Sequence, residues 1–91
     1  SPARPARPIS RPVYPRISRR MGEEGGVTID AQIRADGSTG TVRVRITSTY
    51  QRLDDAAVQA VQKTRFLSAT RGGIPVPSIV TLTFTFRLDD E

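Results

Sequence analysis

From Val27 the chain alternates, with Val27, Ile29, Ala31 and Ile33 apolar and Thr28, Asp30, Gln32 and Arg34 polar. A clean period of two predicts a strand with one face buried and the other in water. The turn residues of Ala35-Asp36-Gly37-Ser38-Thr39-Gly40 follow, and then Val42, Val44 and Ile46 alternate with Arg43, Arg45 and Thr47. The pair reads as a hairpin. With its turn centred between Gly37 and Ser38, Asp30 falls opposite Arg45 and Gln32 opposite Arg43, so the register sets an acid beside a base on the solvent face.

The period changes at Leu53. Leu53, Ala56, Ala57, Ala60, Val61 and Thr64 gather on one face at helical spacing, which predicts an amphipathic helix. Asp54 suits its N-cap, with Leu53 and Val58 as a hydrophobic staple around it. Arg71-Gly72-Gly73-Ile74-Pro75-Val76-Pro77 then leads through an extended, turn-rich connection. Beyond it Val80, Leu82, Phe84, Phe86 and Leu88 alternate with Thr81, Thr83, Thr85 and Arg87. Ile79 to Leu88 as one strand would span roughly 33 Å.

The N-terminal side follows other rules. Pro2, Pro5, Pro8, Pro12 and Pro15 recur every three or four residues among arginine, alanine and serine, a composition that favours polyproline II or disorder over a packed element. Residues 1–11 are therefore expected to be the end of a stiff linker, and 12–91 the domain. A short helix can start at Arg16 behind Pro15, run through Ile17, Arg20 and Met21, and stop at Gly22.

The order helix, strand, strand, helix, strand predicts an α+β fold, with two helices packed on one face of a three-stranded antiparallel sheet. A right-handed crossover through the second helix brings the third strand beside the first, a split β-α-β arrangement of strand order 2-1-3. The third strand is then a long edge, with backbone donors and acceptors unpaired along its outer side. Pro75 and Pro77 precede it and the acidic Asp89-Asp90-Glu91 cluster follows, but only Arg87 guards it from within. Such an edge can accept an extended peptide through main-chain hydrogen bonds.

Composition narrows the chemistry. The 91 residues hold no cysteine and no histidine, so the thiol nucleophile, the commonest general base and the usual soft metal ligands are missing. The paired carboxylates Glu23-Glu24 and Asp54-Asp55 and the acidic tail have structural or solvated readings, and no enzymatic role, cofactor or metal is expected. The formal charge is +5, but it is unevenly placed. Residues 1–20 hold six arginines and no acid, whereas from Met21 onward eight basic residues meet nine acidic ones. The folded part is thus near neutral and carries few aromatics, which argues against a nucleic-acid platform. Gly22 to Gly25 and Gly37 to Gly40 match the G-x-x-G spacing of single-strand binders. Glu23 and Glu24 would repel phosphate in the first, and the second lies in a turn. No apolar run is long enough to span a bilayer.

The stretch from Pro12 to Leu88 resembles the C-terminal domain of TonB-family energy transducers. The matching pieces, in order, are Pro12-Val13-Tyr14-Pro15, Gly22 and Gly25, Asp36-Gly37, Leu53-Asp54 with Ala56-Ala57, Arg65-Phe66, Gly73 with Pro75-Val76, and Phe84-Thr85-Phe86-Arg87-Leu88. The resemblance implies a non-enzymatic periplasmic domain of a protein anchored in the inner membrane of a Gram-negative bacterium. It would capture the TonB box of outer-membrane transporters by strand addition. It would then transmit energy from an ExbB/ExbD-type proton-channel complex, reached through a segment N-terminal to this chain, for uptake of siderophore iron, haem or a vitamin. By position, the docking edge is Ile79, Val80, Thr81, Leu82, Thr83, Phe84, Thr85 and Arg87. Secondary contacts fall at Arg11, Pro12, Val13, Tyr14 and Pro15.

The chain departs from the family pattern at Arg11, where many members carry glutamine, at Thr64, where tryptophan is usual, at Ser68, where proline is usual, and at Thr47-Ser48-Thr49. Arg11 would favour an acidic peptide. A related module of a secretion or envelope-bridging system is the alternative reading, and an open edge permits either a monomer or a strand-swapped dimer.

Overall fold

Three long strands carry the alternating segments, and the prolines and glycines around them shape the rest. The computed structural model describes residues 1–9 and 11–88, so the acidic cluster expected to flank the last strand lies outside the described residues. The elements in chain order are β1 (Arg4–Pro5), α1 (Arg16–Met21), β2 (Gly25–Ile33), β3 (Thr39–Ile46), α2 (Gln51–Lys63), β4 (Phe66–Leu67), β5 (Ala69–Arg71), β6 (Ile74–Val76) and β7 (Ser78–Phe86).

The main sheet has the order β3-β2-β7, with both neighbouring pairs antiparallel. The central strand puts Val27, Ile29, Ala31 and Ile33 fully out of water, and Phe84 and Phe86 of β7 continue the same inner face. Leu53, Ala57, Ala60 and Val61 of α2 close over it, with Phe66 at the helix's exit. The two alanines let the helix approach the sheet, and each large buried side chain contributes about 1.5–3 kcal/mol. On the outer face Thr28 and Thr83 share a hydroxyl hydrogen bond of 3.1 Å, and Thr81 donates to Asp30 at 2.7 Å. These cross-strand pairs tie β7 to β2 from the solvent side.

The hairpin register differs from expectation. Arg34 N–H donates to Ser38 O at 2.8 Å, closing a three-residue turn in which Gly37 has φ 87° and Asp36 accepts from the Ser38 N–H at 2.9 Å. Two bulges follow from that turn and from the strand's end, so Asp30 faces Arg43 rather than Arg45, and Gln32 stands at an irregularity. Arg45 Nη1 still lies 3.9 Å from Asp30 Oδ1. A Cβ on Gly37 would come within 2.3 Å of Phe66 O, so the turn is seated directly on β4.

The second helix also begins earlier than expected. It starts at Gln51, with Tyr50 rather than Asp54 at the N-cap, and Leu53 is a core residue inside it rather than half of a staple. Asp54 sits a turn inside and is buried. Its Oδ1 accepts from Ser48 N–H at 2.9 Å and from Ser48 Oγ at 2.7 Å, and its Oδ2 accepts from Thr47 Oγ1. Thr49, at φ 76°, reverses the chain so that these donors lie over the first turn. The aspartate fastens the preceding loop instead of capping the helix.

At the other end, β7 stops at Phe86, leaving Arg87 and Leu88 beyond the strand, where Leu88 N–H donates to Glu24 Oε2 at 2.8 Å. The connection after α2 holds more structure than expected, since β5 and β6 form a hairpin across Gly72 and Gly73. Both have positive φ, as a two-residue primed turn requires. The first helix matches its expected bounds and ends at Gly22, φ 69°, with Glu23 N–H donating to Ser18 O at 2.8 Å. Only Ser18 of α1 is buried, while Ile17 and Met21 face solvent.

The arm is not a solvated spacer in this structure. Arg4 and Pro5 pair antiparallel with Leu67 and Phe66. Ala6 N–H donates to Arg65 O and Thr70 N–H to Ser1 O, both at 2.8 Å. Prolines bring no N–H that would need a partner, and the residues between them supply the pairing.

Candidate functional site

Among the described residues both outer strands of the main sheet, β3 and β7, present an open edge. They are not equivalent. The β3 edge is bulged twice and carries Arg43 and Arg45. Such features protect an edge against pairing. The β7 edge runs in unbroken register against β2 for nine residues, from Ser78 to Phe86, with no charge, proline or glycine within it. A strand can be added there without a mismatch.

Within β7 the expected docking residues divide by face. Ile79, Thr81, Thr83 and Thr85 are exposed, whereas Val80 and Leu82 are half-buried and Phe84 is buried. The second group can offer a partner only its backbone groups. Ile79 is 71% exposed and borders a shallow hollow with Asp30, Gln32, Thr41 and Arg43.

At the C-terminal end of β7 the edge meets Tyr14. The Tyr14 ring packs edge-on against Phe86, with centroids 5.3 Å apart at 78°. Its hydroxyl donates to Glu23 O. The Arg19 guanidinium lies 5.1 Å over its face. Pro15 is the N-cap of α1, so Tyr14 and Arg19 occupy the positions a hydrophobic staple would use, with a cation–π contact in its place. Burial, together with nearby Glu24, holds the Tyr14 hydroxyl above the usual phenol range, and Arg19 opposes the shift.

Around this tyrosine a cavity of about 230 Å³ opens between Arg11, Arg19, Thr85 and Arg87. Arg11, Pro12 and Tyr14 are therefore brought to the strand's end. Val13 and Pro15 are not. They line a second groove of about 440 Å³ on the α2 side, which Arg11 and Pro12 also border, with Arg52, Ala56 and Gln59. Arg19 and Phe86 belong to the site although the sequence reading omitted them. The tyrosine-to-arginine spacing across a helix start was the available signal for Arg19, and the inward alternation of β7 was the signal for Phe86.

Below the tyrosine, Glu23 is 6% exposed and its Oε2 accepts from Arg52 Nη1 at 3.2 Å. That ion pair joins the entry of β2 to α2. Among the described residues no group of His, Cys, Asp or Glu is arranged to hold a metal ion, and no helix is long and apolar enough to cross a membrane.

Comparison with known proteins places this geometry. Residues 10–88 match the family described as Gram-negative bacterial TonB protein C-terminal. Protein tonB2 of Pseudomonas aeruginosa is 35% identical over 78 residues, covering 86% of this chain and 29% of its own length. Protein TonB of Vibrio cholerae is 29% identical over 79 residues, covering 87% of this chain and 32% of its own. The chain thus spans about a third or less of these relatives. The solution structure of the Pseudomonas aeruginosa TonB C-terminal domain superposes with a TM-score of 0.74 at 34% identity, covering all of this chain and 91% of that one. The Helicobacter pylori TonB C-terminal domain shares the fold, with a TM-score of 0.68 over 89% of this chain and 85% of its own, at 23% identity. By the family match and the relatives that accompany it, this chain belongs to the TonB C-terminal domain family, a family of non-enzymatic protein-interaction domains.

Proposed function

We propose that this domain binds the TonB box of outer-membrane transporters by adding it as a further strand to β7, and that it passes proton-motive-force-derived energy to them for active uptake. The observation that carries the reading is the contrast between the two open edges, β3 bulged and charged, β7 regular and uncharged for nine residues. Main-chain pairing along such an edge tolerates variation in the peptide and suits a domain that serves several transporters. Tyr14, fixed at the strand's end, is where the arm meets the docked segment, so tension on the arm would be delivered beside the pairing. In this reading the domain works in the periplasm. The longer protein is anchored in the inner membrane and is driven there by an ExbB/ExbD-type complex.

An amide NMR titration with a panel of TonB box peptides tests it. Shifts running along Ser78 to Phe86 and reaching Tyr14 are the expected result. No response along β7, or one confined to the arginines of the arm, would overturn the docking mode and favour another envelope partner.

A further inference from the structure

We propose that the arginine-lined cavity at the C-terminal end of β7 is a carboxylate subsite, and that it selects docked peptides carrying an acidic side chain at the terminal residue that reaches Arg87. This rests on the strand-addition reading and adds to it a chemical preference at one position of the peptide.

The cavity measures about 230 Å³, several times the roughly 30 Å³ a water occupies, so it has room for a carboxylate. Its guanidiniums come from three separate segments: Arg11 from the arm, Arg19 from α1 and Arg87 from just beyond the strand. No acidic residue among the described ones lines it. A guanidinium presents a planar fork of donors that matches a carboxylate two bonds at a time. The wall between the arginines is rigid. Tyr14 is fixed through its hydroxyl, through its edge on Phe86 and through the Arg19 cation over its face.

Position makes the preference local. Thr85 lines the cavity while Thr81 and Thr83 lie further back along the edge and point to the polar face of the sheet. A strand laid along β7 therefore meets these three arginines only with its last residue at this end. Arg11, Arg19 and Arg87 already engage other groups of the chain. An incoming carboxylate exchanges with or joins those contacts, which keeps the gain modest.

The test uses the whole chain and extended nine-residue peptides of valine and threonine, with glutamate at the first, central or last position, each compared with its glutamine counterpart. Affinity is read by calorimetry and docking by amide shifts along β7. Glutamate at one terminal position should bind about fivefold more tightly than glutamine, in the range of a partly exposed ion pair, and the central position should show no difference. The advantage should shrink below about twofold at high salt. It should also vanish in Arg11→Gln and in Arg19→Gln, each compared with glutamate and glutamine peptides side by side. Equal affinity of glutamate and glutamine peptides at every position, with β7 shifts intact, overturns the subsite and leaves strand addition standing. An equal gain at all three positions overturns it too, by showing only general attraction to a basic chain. Absence of β7 shifts with every peptide overturns both.

Discussion

At the scale of single residues the site depends on Tyr14, whose three contacts each do something different. The hydroxyl bond to Glu23 O holds the ring in place, the Phe86 contact joins it to the edge strand, and the Arg19 contact sets a cation over the cavity. Tyr14→Phe removes only the first and should cost about 1 kcal/mol in urea unfolding at neutral pH. Tyr14→Ala removes all three and should cost about 3–5 kcal/mol. The raised ionisation of Tyr14 gives a second readout. Its stabilising contribution is complete below the unfolded phenol range near 10 and is lost as pH rises through the higher folded value. The wild type should therefore lose stability at alkaline pH more steeply than Tyr14→Phe. A place for this residue near the edge strand was expected only by position, from the family resemblance, and nothing in the hydrophobic pattern set its ring against Phe86. That its ring would sit under Arg19 depended on tertiary placement that periodicity does not encode.

At the scale of elements, the fold's periodic segments behaved as their patterns require, and the deviations lie where side chains hydrogen-bond the backbone. Alternation located β2 and β7 because each turns one face to the core, and β3 because Val42 and Val44 half-bury theirs although Ile46 stays exposed. Period 3.6 located α2 because its alanines and Leu53 face the sheet. Periodicity cannot see the Asp54 carboxylate reaching back to Thr47 and Ser48, so the start of α2 was misplaced, nor the Arg34–Ser38 closure that sets the hairpin register. Burial alone would push the Asp54 carboxyl upward. The bonds from Thr47 and Ser48 together outweigh it and hold the group below the usual carboxylate range. Its stabilisation is accordingly present above the unfolded value near 3.9 and is lost as pH falls through the lower folded value. Asp54→Asn should cost about 2 kcal/mol at pH 7, as expected for losing hydrogen bonds to a charged acceptor. The gap between variant and wild type should close as both are titrated toward pH 2. Chemical unfolding followed at several pH values checks it, and a gap that stays constant would place the anchor elsewhere.

At the scale of the whole molecule, the arm runs the length of the sheet. Tyr14 sits where β2 begins, opposite Phe86, whereas Arg4 and Pro5 pair with β4 beside Gly37, past the end of β2. Between those points the arm follows α2 from its last turn toward its first, with Ala6, Arg7 and Pro8 near Lys63 and Thr64, and Val13 and Pro15 near Arg52 and Ala56. Ala3 and Ile9 pack against the core on the way. Composition alone pointed to a solvated linker, because five prolines and six arginines bury poorly. The Arg65 carbonyl, which accepts from Ala6 N–H, and the Thr70 N–H and carbonyl, which bond to Ser1, make the docking possible. Such a strip is held by few bonds and little apolar area, so it should open locally at a lower cost than the sheet. A chain starting at Ser10 should lose about 1–2 kcal/mol in urea unfolding, and amide exchange should accelerate at Thr70, whose N–H donates to Ser1 O. Exchange along β2 should slow or quicken only with the global stability, and peptide shifts along β7 should persist, because no described arm residue pairs with that edge. Loss of β7 binding on this truncation would instead make the docked arm part of the site. If exchange at Thr70 did not change, the arm would already be open in solution, and tension on it would reach Tyr14 with nothing to peel away first.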